Sequence, residues 1–145
     1  MLYFAPHLGQ NSNDMIVGLG VDIAEVERLR QAIERHGERF LERVFTPLEI
    51  AYCLAYRNSA ERFAARFAAK EAAMKALGTG WRGGVAWRDI EVENAGSGQP
   101  GLKLTGRARE ICDALGGTRL LLSLTHTDHY ALAQVLIEGD SSLRR

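Results

Sequence analysis

The amino-acid sequence predicts an α+β fold with a mainly antiparallel sheet packed against helices, and two observations predict it. Strand-like and helix-like segments do not alternate in the repeated βαβ order that builds a parallel sheet. The chain closes with two strand-like segments joined by a tight connection, which is typical of an antiparallel hairpin. A length of 145 residues with 46% hydrophobic side chains suits one domain with its own core.

The first predicted strand is MIVGLGVD, residues 15–22, in which apolar residues alternate with small or acidic ones. Gly18, Gly20 and Asp22 share the face opposite the apolar residues, so no side chain blocks approach to the Asp22 carboxylate. This bare face is predicted to admit either a ligand or another stretch of backbone. Alternatively, Asp22 serves only as a cap for the helix that follows.

Two helices are predicted after this strand. Apolar residues at helical spacing indicate a helix over about residues 24–43. Thr46 is then a suitable N-cap, Pro47 fits the first helical position, and Glu49 stands at the third. The second helix is therefore expected to begin at Pro47 and to run to about residue 56.

The remaining elements follow from local signals along the chain. A long helix over about residues 59–77 has Ser59 as a suitable N-cap and is stopped by Gly78. The elements predicted after it are an irregular glycine-rich segment at 78–84, short strands at 90–93 and 102–104, a helix at 106–115, and a closing hairpin of strands 120–126 and 130–138 with His126 at its turn.

A single domain is predicted over residues 15–140, after a disordered leader or cloning remnant at 1–14 and before a flexible tail at 141–145. The leader lacks the basic start and apolar core of a signal peptide, so the cytoplasm is the expected compartment. No apolar run approaches the roughly 20 residues that cross a bilayer. Zero net charge gives no overall attraction for nucleic acid or membrane. Cys53 and Cys112 are expected to be buried thiols.

The long helix concentrates unusual charges. Its segment FAARFAAKEAAMKAL holds two of the three lysines in a chain with fifteen arginines. On a helical wheel Glu71 and Lys75 lie one turn apart beside the apolar arc, and Lys70 lies inside that arc. The simplest interpretation is an i,i+4 pair worth a few tenths of a kcal/mol, with Lys70 snorkelling to solvent.

Taken together, these charged residues predict a site that binds a polyphosphate together with a metal ion. Asp22 and Glu71 supply hard oxygen ligands of the kind that Mg²⁺ takes, with waters and phosphate oxygens completing its shell. Arg66, Lys70 and Lys75 surround them with positive charge, which neutralises charge at a transferring phosphorus. A compact ammonium group reaches a phosphate as a point charge, where the planar guanidinium fork is bulkier.

Two further segments carry candidate ligand-binding groups. His126 follows hydroxyl residues on the hairpin and is suited to bind phosphate or carry a proton, or else to bond its own backbone. The turn Gly78-Thr79-Gly80 is glycine-rich, but it follows a helix instead of preceding one, so the P-loop argument does not apply.

Four arginines recur at helical spacing on the segment after the first strand: Arg28, Arg35, Arg39 and Arg43. We call this set the arginine ridge. It is predicted either to dock an acidic protein or to be a solvated face that pairs with neighbouring glutamates. Nucleic acid is less favoured as a partner, because aromatic stacking residues are not interleaved with the arginines.

The strings IVGLGVDIAEVERL, RFAAKEAAMKALGTG and SLTHTDHYALAQVLI occur in this order, and residues 16–138 resemble the holo-(acyl-carrier-protein) synthase family of small 4′-phosphopantetheinyl transferases. The resemblance implies an α+β enzyme that transfers the 4′-phosphopantetheine group of coenzyme A to a serine of apo acyl carrier protein. It also implies Mg²⁺, release of adenosine 3′,5′-bisphosphate, a role in fatty acid biosynthesis, and a homotrimer with active sites between subunits.

The resemblance assigns roles by position. Asp22 and Glu71 would be the Mg²⁺ ligands, Glu71 would act as general base directly or through a water, and Lys75 would contact the reacting phosphate or the incoming serine. The arginine ridge would face the acidic recognition helix of the carrier protein. The residues that would hold coenzyme A are Arg66, Lys70, Gly78, Thr79, Gly80 and His126.

Two other functions stay open from the residues alone. A Mg²⁺-dependent nucleotide or pyrophosphate hydrolase would use the same metal and cations with water as nucleophile, but would need no arginine ridge. A non-catalytic module that binds coenzyme A would use the cations while Asp22 and Glu71 were only structural.

Overall fold

A computed structural model describes residues 14–94 and 98–145 of the chain. The predicted leader, apart from residue 14, and the centre of the turn near residue 96 lie outside the described residues. The helices and strands are β1 (Asp14–Glu25), α1 (Val26–His36), α2 (Glu38–Val44), α3 (Pro47–Leu54), α4 (Ser59–Leu77), β2 (Ile90–Asn94), β3 (Pro100–Leu104), α5 (Gly106–Ala114), β4 (Gly117–His126) and β5 (Tyr130–Asp140).

The strands form antiparallel sheets, which confirms the predicted α+β class. One sheet has the order β1-β5-β4, and β2 pairs with β3 in a second sheet. The closing hairpin pairs His126 with Ala131. The last residues, predicted as a flexible tail, include a 3₁₀ turn at Ser141–Leu143, and the Arg145 amide donates to the Ala114 carbonyl at 3.0 Å.

Helix α4 packs across the sheet on the glycine face of β1. A Cβ atom at Gly20 would overlap the Ala72 carbonyl oxygen, and one at Gly18 would overlap the Ala76 carbonyl oxygen. The bare face at Gly18 and Gly20 was predicted to admit either a ligand or another stretch of backbone. In the structure it admits the backbone of α4. This contact brings the second half of α4 against β1, close to Asp22.

The Gly20 contact predicts a large loss of stability on adding one methyl group. Gly20→Ala is expected to lower the free energy of unfolding by about 3 kcal/mol or more. The new Cβ would overlap the Ala72 carbonyl oxygen and the Ala76 amide nitrogen, and this helix backbone moves only at a large energetic cost. Gly101→Ala is the matched control, since a Cβ there meets nothing within 4 Å. Urea unfolding should separate the two variants clearly, and equal midpoints would contradict this packing.

The region between β1 and α3 corrects one prediction. A single helix was expected over residues 24–43, but β1 continues to Glu25, and the helix is broken at Gly37. Gly37 has φ 57°, and its amide donates to the Ile33 carbonyl at 2.8 Å, which ends α1. The break places two ridge arginines on α1 and two on α2.

The two faces of the large sheet differ in exposure. Alternate residues of β5, namely Ala131, Ala133, Val135 and Ile137, are completely buried under α4 and its neighbours. The opposite side carries exposed apolar residues, and we call this surface the outer face: Leu19, Val21 and Ile23 of β1 with Tyr130 and Leu132 of β5. An apolar patch of this extent is typical of a protein–protein contact.

The two cysteines are buried free thiols, as predicted. Burial raises the pKa of Cys53 to about 12. Within residues 14–94 and 98–145, none of the helices has both the length and the apolar character needed to span a bilayer.

Candidate active site

Asp22 and Glu71 meet beside the crossing of β1 and α4. Asp22 lies two residues beyond Gly20 on the same side of β1, and Glu71 precedes the Ala72 carbonyl that covers Gly20. Burial raises the pKa of Glu71, and the neighbouring Asp22 carboxylate raises it further, while Lys75 and Arg28 act in the opposite direction. The two carboxylates are therefore close enough for one to disfavour ionisation of the other.

The two carboxylates open into a cavity of about 370 Å³. Arg28 also lines it, together with apolar side chains that include Phe40 and Phe67. A pair of adjacent carboxylates beside open space fits Mg²⁺, which binds to one or two carboxylates and keeps other positions for water and phosphate oxygens. No group of three or more acidic, histidine or cysteine side chains suited to a metal occurs among the residues that the structure describes.

Lys75 is the cation of this site. Its Nζ atom donates to Asp22 Oδ1 and to the Val21 carbonyl, each at 3.0 Å. The side chain is 54% exposed, so Lys75 remains accessible to solvent. The bonded partner of Lys75 is thus Asp22 on the strand, and the expected i,i+4 pair with Glu71 is not the contact that forms.

Lys70 does not contact the site, which corrects the prediction that it holds coenzyme A. Its side chain is 0% exposed and forms an ion pair of 2.7 Å with Glu49. The same Nζ atom donates to the carbonyls of Trp87 at 3.2 Å and Ile90 at 2.6 Å. Because all three ammonium protons are used inside the core, Lys70 neither reaches a ligand nor snorkels to solvent.

Arg66 is buried beside a second cavity, of about 410 Å³. Its guanidinium stacks on the Tyr52 ring at 3.9 Å, and Arg62 stacks on the Tyr56 ring at 4.1 Å. Within the part of the chain that the structure describes, the Nε atoms of both arginines are buried without a hydrogen-bond partner. Buried donors without partners are rare, so the Nε–H group of Arg66 is a candidate hydrogen-bond donor to a ligand.

Sequence reasoning missed the contacts that Tyr52, Tyr56 and Arg62 form beside Arg66. The two tyrosines come from the end of α3 and the turn after it, and the arginines come from the first half of α4. Their meeting depends on how these two helices pack, which no spacing within one helix reveals. Only Arg66 was predicted here, and its cavity shares no lining residue with the carboxylate cavity.

The other predicted coenzyme A residues lie at the two ends of α4. Gly78 ends the helix with φ 78°, and Cβ atoms at Gly78 or Gly80 would meet nothing within 4 Å, so this turn is open to a ligand. The Thr79 hydroxyl donates to the Gly80 carbonyl at 3.4 Å. At the other end, His126 Nδ1 lies 3.5 Å from Glu61 Oε2, so its side chain pairs with α4 instead of its own backbone.

The arginine ridge is not paired with carboxylates. Among the described residues, none of its four members forms an ion pair, although the ridge was predicted to be either self-paired or a docking surface. Arg35, Arg39 and Arg43 line a shallow cavity of about 620 Å³ with Phe40. Arg28 lines the carboxylate cavity, which makes the ridge continuous with the candidate active site.

A family model described as the 4′-phosphopantetheinyl transferase superfamily matches residues 18–135, which include both carboxylates and α4. The chain belongs to this superfamily. It is 55% identical over 124 residues to the holo-(acyl-carrier-protein) synthase of Koribacter versatilis, covering 86% of this chain and 99% of the relative. The corresponding enzyme of Solibacter usitatus is 53% identical over 125 residues, with 86% and 100% covered.

Solved structures of transferases in this superfamily have the same fold. The holo-(acyl-carrier-protein) synthase of Neisseria meningitidis superposes with a TM-score of 0.79 at 33% identity, covering 86% of this chain and 100% of that one. The synthase of Bacillus anthracis, solved in complex with coenzyme A (3′,5′-ADP), gives a TM-score of 0.72 at 35% identity, with 87% and 99% covered. The family predicted from the three sequence strings is thereby confirmed.

Proposed function

We propose that this chain transfers the 4′-phosphopantetheine group of coenzyme A to a serine of an apo acyl carrier protein and releases adenosine 3′,5′-bisphosphate. Membership of the transferase superfamily and the named relatives support the reaction class. The observation that carries the proposal is the meeting of Asp22 and Glu71 on an open cavity beside Lys75.

The two carboxylates are the residues that would hold Mg²⁺. When bound there, Mg²⁺ supplies charge neutralisation to the diphosphate of coenzyme A. Burial raises the pKa of Glu71 and the neighbouring Asp22 carboxylate raises it further, and a divalent cation bound to both carboxylates would favour their ionised forms. Lys75 keeps Asp22 in place at the end of β1 and leaves its exposed ammonium group near the diphosphate.

The chain's own residues then serve a single displacement at phosphorus. The carrier serine oxygen bonds to the β-phosphorus, and the bridging bond between this phosphorus and the α-phosphate oxygen breaks. The serine proton passes to the Glu71 carboxylate, whose raised pKa makes it a better proton acceptor than an ordinary glutamate. The α-phosphate leaves as part of adenosine 3′,5′-bisphosphate, and Lys75 stabilises the charge that develops on it.

Coenzyme A is proposed to contact the guanidinium group of Arg66, the open Gly78-Thr79-Gly80 turn and His126. The Arg66 Nε atom is buried and aimed at no acceptor within the described residues, which is the state expected of a donor that awaits an anion. The arginine ridge is proposed to bind the acidic recognition helix of the carrier protein, because none of its four members forms an ion pair within the described residues.

The outer face supports a homotrimer with active sites between subunits. Its five apolar residues are exposed in one subunit, and a sheet face of this kind is stable in water when a second copy covers it. Such assembly would bring the residues of two copies to one coenzyme A. The proposed setting is fatty acid biosynthesis in the cytoplasm.

Arg66→Met is expected to raise the KM for coenzyme A about 10- to 100-fold with a smaller change in kcat, since a charged hydrogen bond to an anion is worth about 1.5–3 kcal/mol. Methionine retains an unbranched apolar side chain at this position and removes the guanidinium that stacks on Tyr52. The matched control is Arg109→Met, which removes an exposed arginine paired with Asp113 on α5 and should leave both constants unchanged. An unaltered KM in the Arg66 variant would remove this residue from the coenzyme A site.

The transferase function is tested by intact-mass spectrometry of an apo acyl carrier protein incubated with this chain, coenzyme A and Mg²⁺. The expected result is a gain of one phosphopantetheine per carrier, absent when the acceptor serine of the carrier is replaced by alanine. Chelation of Mg²⁺ should abolish the gain. An unmodified carrier across several carrier proteins would overturn the proposal.

A further inference from the structure

The ion pair between Lys70 and Glu49 is completely enclosed and fully bonded. Glu49 Oε1 accepts from the Thr46 amide at 2.8 Å, and Oε2 accepts from the Val92 amide at 2.9 Å. Lys70 donates to Glu49 and to the carbonyls of Trp87 and Ile90. One carboxylate and one ammonium group therefore connect α3, α4, the Trp87–Asp89 turn and β2.

This network lies directly behind the proposed active site. Lys70 precedes Glu71 in α4, so fixing Lys70 in the core fixes the direction in which Glu71 points, about 100° further around the helix. The network also holds Trp87, whose ring stacks on Phe67 with 5.0 Å between centroids. Phe67 is one turn before Glu71 and lines the carboxylate cavity.

Stability alone does not account for such a pair. Both side chains of the pair are completely removed from solvent, so the two charges carry a desolvation cost that their attraction must offset. Apolar side chains of similar volume generally replace buried ion pairs with no loss of stability. What apolar packing lacks is direction, because the three directed bonds that Lys70 makes to α3, the Trp87–Asp89 turn and β2 define one rotation of α4, whereas methyl groups tolerate several.

We infer that the Lys70–Glu49 pair is a positioning element of the active site, which sets the rotation of α4 so that Glu71 faces Asp22 and Phe67 lines the cavity. The expected fall in kcat rests on the proposed function. The expected change in the rotation of α4 rests only on the contacts described above. Neither residue touches coenzyme A or the carrier protein, so both act through Glu71 and Phe67.

The test compares a double variant, Glu49→Leu with Lys70→Met, against the unaltered chain. The melting temperature is expected to stay within a few degrees, since the apolar pair leaves no buried charge. The kcat of phosphopantetheine transfer is expected to fall about 10-fold, because small misplacement of reacting groups is costly. The KM for the carrier protein should stay within twofold, since the arginine ridge is not part of the network. Lys70→Met alone should lower the melting temperature strongly.

Two further measurements separate positioning from general loosening. Ile111→Ala removes core packing in α5, away from the site, and should lower the melting temperature while retaining kcat at a temperature where it is folded. The amide chemical shifts of Gly18 and Gly20, which lie under α4, should move in the double variant and not in the Ile111 variant. Should the double variant fail to fold, Glu49→Gln replaces it, with an expected loss in kcat of about threefold and the same shift changes.

The inference is overturned if the double variant has the same kcat as the unaltered chain and the same amide chemical shifts at Gly18 and Gly20. If the unaltered chain modifies no carrier protein, the proposed function fails, but the amide shifts still decide whether the pair sets the packing of α4. Failure of the two proposals is thus distinguishable.

Discussion

Asp22→Asn and Glu71→Gln are each expected to lower the kcat of phosphopantetheine transfer about 1000-fold, the size of effect seen when a preorganised charge is removed from a transition state. Each change removes half of the carboxylate pair that would hold Mg²⁺ while retaining the shape of the side chain. Steady-state kinetics at saturating coenzyme A and carrier protein measure the effect. Matched controls are Glu110→Gln and Asp113→Asn on α5, which remove exposed carboxylates of surface ion pairs and should leave kcat unchanged.

Glu71→Gln is expected to lower activity without lowering the melting temperature. The pKa of Glu71 is raised in the folded chain, so its ionised form is disfavoured by folding, and this penalty is present at a pH above the folded pKa. Glu71→Gln removes the penalty, and the melting temperature at neutral pH should be unchanged or higher. A variant that loses activity together with a large part of its stability would contradict the view that Glu71 is retained for chemistry.

Val21→Arg is expected to convert the proposed homotrimer to monomers and to lower kcat/KM about 100-fold at submicromolar concentration, because a charge placed at the centre of an apolar interface leaves it desolvated and unpaired. Val21 lies in the middle of the outer face and is 53% exposed in one subunit, so the change should not disturb the core. Sedimentation velocity reports the assembly, and kinetics in the same buffer report the activity.

The matched control for the outer face is Leu54→Arg, which places the same charge at an exposed leucine of α3. It should leave assembly and activity unchanged. A fully active monomeric Val21 variant would show that each subunit carries a complete site, and the proposal of active sites between subunits would then be wrong.

Local signals were sufficient for much of the fold. The limits of α4 and its stop at Gly78 are confirmed. A glycine that adopts the left-handed conformation ends a helix through local interactions, so this end can be predicted from neighbouring residues. The capping box of Thr46 and Glu49 forms in the structure. The break at Gly37 was missed, because glycine within a helical pattern does not by itself say whether the helix continues.

The site was only partly predictable for a related reason. Glu71 and Lys75 carry formal charges beside the apolar arc of α4, and Asp22 follows the bare glycine face of β1, so all three could be predicted from the sequence. The structure brings them together. Lys70 was misassigned because its charge was given more weight than its position inside that arc. Its partner Glu49 is 21 positions away and was identified only as a capping residue, and no periodicity links the two.

The most direct measurement of the central claim is the ratio of adenosine 3′,5′-bisphosphate released to carrier protein modified in one reaction with coenzyme A and Mg²⁺. Chromatography quantifies the nucleotide, and intact-mass spectrometry quantifies the carrier. The account predicts a ratio of about one throughout, since bond formation to serine and release of the nucleotide are one displacement. Nucleotide released without any carrier present would identify a hydrolase, and a complete absence of both products would indicate a module that only binds coenzyme A; either result would contradict the account.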